Sequence, residues 1–108
     1  MSEPLTLERM ENALEYLAET DQAYADYKAS LLRCEILCKR VRARAFLVAD
    51  GSNEVRKAKA EMNPEVEEAD KYLVEATLYL ESLKAKRSRA EIVIDCFRTV
   101  EASRRKVS

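Results

Sequence analysis

The chain has no histidine, one glycine and two prolines in 108 residues, and each shortage closes off a class of protein. With no histidine, no glycine-rich phosphate loop and no nucleophile signature such as G-x-S-x-G, it offers nothing on which to build a familiar enzyme site. So little glycine and proline leaves scant material for tight turns, which argues against a sheet protein. No apolar run approaches the length of a membrane span. There are three cysteines, Cys34, Cys38 and Cys96, and no signal peptide is expected. That combination points to a reducing compartment, and the expected location is the cytoplasm. Cys34 and Cys38 lie one helical turn apart, a spacing that suits metal ligands. Yet Cys96 is the only further thiol, and structural zinc takes four ligands. Both also fall on an apolar stripe, where buried thiols are the simpler reading. No metal, cofactor or catalysis is expected.

What is present is a seven-residue apolar repeat that runs twice, once on each side of Gly51. Before it, Tyr24, Tyr27, Leu31, Cys34, Cys38, Val41, Ala45 and Val48 alternate spacings of three and four. After it, Ala69, Leu73, Ala76, Leu80, Leu83, Arg87, Ala90, Ile94 and Phe97 do the same, interrupted only by Arg87. On a helix such spacing draws one narrow stripe, the seam of a coiled coil or antiparallel hairpin. Apolar residues at 47% and charged ones at 36% also suit long helices. The expected fold is therefore all-α: one domain over residues 1–108, a long antiparallel coiled-coil-like hairpin with an N-terminal helical extension. Such a rod-like scaffold has no obvious pocket, and its function must lie on its surface.

Local signals place the boundaries. Ser2-Glu3-Pro4 reads as a short frayed start, and Thr6 can cap a helix carrying Leu7, Met10, Leu14 and Leu17. The repeat slips by one residue near Thr20-Asp21, which permits a kink or an overwound continuous helix. One helix to about Asp50 is expected. Asp50-Gly51-Ser52-Asn53 is the strongest turn signal: glycine accepts positive φ after a helix, and Ser52 or Asn53 can cap the next. A short helix over Glu54–Glu61 follows. Asn63-Pro64-Glu65 then supplies a cap, a first-turn proline and an acid at the positive end of the dipole, opening a helix to about Arg104.

The net charge of −1 hides an uneven distribution. Residues 1–26 carry seven acids against Arg9 alone, while residues 39–44 (Lys39, Arg40, Arg42, Arg44) and 84–89 (Lys84, Lys86, Arg87, Arg89) contain no acid. Such blocks suggest an anionic partner, or acid-to-base contacts between subunits; a solvated helix face is the plain alternative. Across the turn, Arg56, Lys57 and Lys59 face the same end as Arg42 and Arg44. Phe46 beside them can stack on a base or pack into the seam. Arg87 interrupts an apolar register, as a specificity device, a partner for an acid or a side chain that snorkels to water. A second stripe, Tyr72, Tyr79, Val93 and Val100, widens the last helix beyond what one partner helix covers. Tyr16, Leu17 and the N-terminal stripe can cover it within the chain, another subunit can cover it equally well, and a mixture of both is expected. With Leu7, Met10 and Leu14 this second stripe is the expected subunit interface of a homo-oligomer.

Two segments carry a resemblance: Arg42-Ala43-Arg44-Ala45-Phe46-Leu47 running into Asp50-Gly51, and Ser82-Leu83-Lys84-Ala85-Lys86-Arg87-Ser88-Arg89-Ala90 before an aliphatic run. With the ending Ile94-Asp95-Cys96-Phe97-Arg98-Thr99, residues 24–105 resemble small helical proteins of bacteriophage recombination modules, of the UvsY-type recombination mediator family. The resemblance implies a non-enzymatic oligomer, a ring, that binds single-stranded DNA. It would help to place a recombinase on DNA covered by single-strand-binding protein. By position, Arg42 and Arg44 match the family's basic element before the turn, and Lys86 and Arg89 its second. The candidate nucleic-acid contacts are then Arg42, Arg44, Arg56, Lys57, Lys59, Lys84, Lys86 and Arg89. The alternative is a helical protein-interaction module, a phage-encoded inhibitor or adaptor of a host protein. Removing Arg42 and Arg44 together is expected to separate the two, because exposed charges at a helix end contribute little to folding.

Overall fold

The computed structural model describes residues 4–107. Ser2 and Glu3 of the expected frayed start lie outside them. Three helices account for nearly all of the rest: α1 (Leu7–Val48), α2 (Asn53–Glu61) and α3 (Pro64–Val107), with no strand among the described residues. The expected all-α hairpin is the fold. The one-residue slip at Thr20-Asp21 is absorbed within a continuous α1. Here Thr20 turns its hydroxyl back to the Tyr16 carbonyl at 2.7 Å, a bond that keeps a polar side chain inside a helix satisfied. The N-terminal stripe is thus part of α1 and not a separate helix.

The caps explain the boundaries. The Thr6 hydroxyl accepts from the Arg9 N–H at 3.1 Å and starts α1. Ser52, rather than Asn53, caps α2, its hydroxyl accepting from the Val55 N–H at 3.3 Å. Asn63 Oδ1 accepts from the Glu65 N–H at 2.8 Å, and Pro64 occupies the first position of α3, where no N–H is needed. No later breaker exists, and α3 continues three residues beyond the expected end.

Gly51 holds φ at +117°, a region open to glycine and strained for other residues. A Cβ placed there would also meet Val55 Cγ1 at 2.9 Å. Gly51→Ala is expected to destabilise the protein by about 1–2 kcal/mol through the backbone alone, more with the clash. Adding Val55→Ala should restore only the steric part, as read from urea unfolding of the single and double variants. Full restoration would show that the dihedral carries no cost.

The chain forms two compact units, and each takes one end of α1 and one end of α3. The unit of Asp26–Leu80 centres on Cys38, Val41, Ala45, Ala60, Val66 and Ala69, with Phe46 and Leu73 packed against them. Small residues let α1, α2 and α3 approach closely here, and Val66 is the most deeply buried side chain. The Cys38 thiol donates to the Ala69 carbonyl at 3.3 Å. Its pKa is pushed up, first by burial and then by the Asp70 carboxylate, as suits an inert packed thiol. Tyr27 meets Tyr79 with ring centroids 6.1 Å apart. The seam ends at Ala45; Val48, expected to continue it, is 73% exposed at the last turn of α1.

The unit of Met1–Ala25 and Glu81–Ser108 centres on Ala13, Ala90 and Ile94, flanked by Met10, Tyr16, Leu17 and Val93. Met10 and Val93, both expected at a subunit interface, pack here against their own chain. The reason is geometric: in this unit the first turns of α1 face the last turns of α3, so that side of the N-terminal stripe is covered within the chain. Leu7, Leu14, Tyr72, Tyr79 and Val100 of the same set stay exposed.

Candidate nucleic-acid interface

The structure sorts the expected cations by what already holds them. Arg42 is occupied. Its Nε donates to Glu61 Oε1 at 2.9 Å and its Nη2 to Asp70 Oδ2 at 2.7 Å, tying α1 to the end of α2 and the start of α3. These two carboxylates hold its guanidinium well above the ordinary arginine range. Arg56 Nε donates to the Phe46 carbonyl at 3.1 Å, and its guanidinium lies 4.2 Å from the centre of the Phe46 ring. Lys59 Nζ donates to the Asp50 carbonyl at 2.9 Å. Arg56 and Lys59 serve the turn: cations from α2 meet carbonyls freed where α1 ends, the favoured charge at a helix C-terminus.

Of the two readings of Phe46, packing is the one found: the side chain packs on the core of the Asp26–Leu80 unit with Arg56 over its ring, so it does not stand ready for a base. The joint removal of Arg42 and Arg44 is not a clean probe of binding either. Arg42 bridges three helices, and its loss would leave Glu61 and Asp70 facing each other without a cation.

Arg44 and Lys57, in the Asp26–Leu80 unit, are exposed and form no hydrogen bond or ion pair among the described residues. The same holds for Lys84, Lys86 and Arg89 in the other unit. Helical spacing divides these three. Lys86 and Arg89 are three residues apart and share a face, whereas Lys84, two residues before Lys86, is turned away.

Arg87 between them points inward, with its side chain only 12% exposed. It donates to the Leu17 carbonyl at 2.9 Å, to the Thr20 hydroxyl at 2.7 Å and to Asp21 Oδ1 at 2.7 Å, over the Tyr24 ring. Of the three readings of this residue, the structure selects an acid partner, and that acid is in its own chain. Sequence reasoning named these arginines but not their acids. The signal was present in part, since Glu61 and Asp70 flank the Asn63-Pro64 boundary that folds back on Arg42.

The arrangement leaves exposed cations that can meet phosphates, while Arg56 covers the Phe46 ring at the turn. Among the described residues no cluster of three or more histidine, cysteine, aspartate or glutamate side chains is placed to hold a metal ion. No helix among them is long and apolar enough to cross a membrane. Compared with known protein families, curated proteins and solved structures, the chain matches none, so its own geometry carries the functional reading.

Proposed function

We propose that this chain is a non-enzymatic accessory protein of phage recombination that binds single-stranded DNA as a cytoplasmic homo-oligomer and assists a recombinase, in contact with it or with single-strand-binding protein. The observation that supports this most is the division of the cations. Arg42, Arg56, Lys59 and Arg87 are consumed by the fold, yet Arg44, Lys57, Lys86 and Arg89 are exposed with no partner among the described residues. Cations without a structural task are suited to phosphates, which position a strand without reading its sequence. Few contacts per chain call for several chains acting together, and an oligomer supplies the avidity.

The test replaces Arg44, Lys57, Lys86 and Arg89 by alanine and leaves Arg42 intact. Binding to a fluorescent single-stranded oligonucleotide is followed by anisotropy across a range of salt. For each chain in contact with the strand, four lost contacts should lower the slope of log affinity against log salt by about 2.8, taking ~0.7 per contact. Base order should not matter. A variant that keeps its helicity and mass but binds as the parent does would remove this reading. The protein-interaction module would then lead, supported by the exposure of Leu7, Leu14, Tyr72, Tyr79 and Val100.

A further inference from the structure

The seam uses one side of each helix, and the opposite sides in the Asp26–Leu80 unit are not polar. On α1, Leu32, Ile36 and Leu47 each lie two positions from a seam residue (Cys34, Cys38 and Ala45), about 160° round the helix. On α3, Val74 and Leu78 stand in the same relation to Ala76 and Leu80. These five side chains are between 41% and 72% exposed, though each is large and apolar. Leu32 and Ile36, and likewise Val74 and Leu78, are four residues apart and adjacent on one helix face, with Leu47 on the same side further along α1.

The two stripes are bordered by opposite charge. Arg33, Lys39 and Arg40 flank the stripe on α1 against the single acid Glu35, so the border is net basic, and none of the three cations has a hydrogen bond or ion pair among the described residues. The stripe on α3 borders an open hollow of about 490 Å³, lined by Val74 with Glu61, Glu67, Asp70, Lys71 and Glu75. Arg42 already occupies Glu61 and Asp70, but Glu67 and Glu75 have no ion pair or hydrogen bond among the described residues. One outer face is thus apolar and basic; the other is apolar, hollowed and acidic.

We infer that the basic outer face of α1 in one copy docks on the acidic outer face of α3 in the next. Charge decides the pairing. Joining α1 to α1 would bring Lys39 and Arg40 against their own copies, and joining α3 to α3 would oppose Glu67 and Glu75 in the same way. Only the unlike pairing buries both stripes and neutralises both borders. Because the two faces belong to opposite sides of one hairpin, each copy keeps one face free after each contact. The contact is heterologous and continues past a dimer, into a ring or a filament. This deepens the oligomeric part of the reading above and does not involve DNA.

The experiment reads mass by light scattering without nucleic acid. The parent should exceed the mass of two chains. Leu32→Glu with Ile36→Glu disables the face on α1, and Val74→Glu with Leu78→Glu disables the face on α3. Each double variant should run as a single chain with the parent's far-ultraviolet circular dichroism, since all four positions are exposed. Mixed in equal amounts, the two should form a dimer and nothing larger, because one intact face of each kind remains. A monomeric parent, folded variants that keep its mass, or a mixture that stays monomeric would each overturn the inference. Loss of DNA binding in the Arg44, Lys57, Lys86 and Arg89 variant, with its mass intact, would leave it standing.

Discussion

Replacing Ile94 by alanine is expected to lower unfolding stability by about 2–5 kcal/mol, the usual range for emptying a buried aliphatic site. Ile94 is 5% exposed and packs in the unit built on Ala13 and Ala90. Those two neighbours are already as small as a packed helix contact allows, so the backbones have little room to close over the space left behind. Met10, Tyr16, Leu17 and Val93 around it are larger, and their adjustment decides where in the range the loss falls. Ile92, two residues earlier, is 59% exposed and serves as the control. Ile92→Ala should change stability by no more than about 0.5 kcal/mol, since surface substitutions away from special features rarely do more. Against a total stability on the order of 5–15 kcal/mol, the first loss would be plain in urea unfolding followed by circular dichroism. Equal effects at the two positions would mean that α3 does not bury the face described.

Removing Arg87 should cost about 2–3 kcal/mol, the scale of hydrogen bonds made by a charged group. Its guanidinium serves three acceptors, and two of them, the Leu17 carbonyl and the Thr20 hydroxyl, are partly buried. Truncation to alanine strips both and also empties the space its aliphatic stem fills in the seam. The ion pair itself is the smaller share. Asp21 is 69% exposed, so solvent screens its attraction. Asp21→Asn is accordingly expected to cost less than about 1 kcal/mol, with the difference fading as salt is raised. Arg87→Leu should recover part of the loss seen with alanine, because an apolar side chain fits the register even though it satisfies no acceptor. Were Arg87→Ala no worse than Asp21→Asn, the guanidinium would be held by the exposed pair alone.

Much of the helical architecture was legible because its causes are local. Thr6, Ser52 and Asn63 cap the helices next to them, and Gly51 takes its positive φ in the turn where it was expected. The seam followed from spacing: Cys38, Val41, Ala45, Ala69, Leu80, Ala90 and Ile94 were all on the two stripes and are all buried. Less legible was the extent of those stripes. Val48 continues the spacing but has no facing helix, and periodicity carries no information about where the partner ends. The outer set of Leu32, Ile36 and Leu47 was also present as spacing, masked by the longer stripe on the opposite side of α1.

By itself, then, the sequence determined that the chain would be helical, where it would turn and which side of each helix would turn inward. These depend on backbone preference and on side chains a few residues apart, within reach of one another before any tertiary contact forms. Only the tertiary structure decided which cations remain available to a ligand. Arg42 finds its acids 19 and 28 residues away, and Arg87 finds its own 66 residues away. Arg44 and Arg89, of the same chemistry and nearly the same position, find none among the described residues. A charged-group hydrogen bond forms or fails over tenths of an ångström, and that distance is set by how two helices settle across the seam rather than by either helix alone.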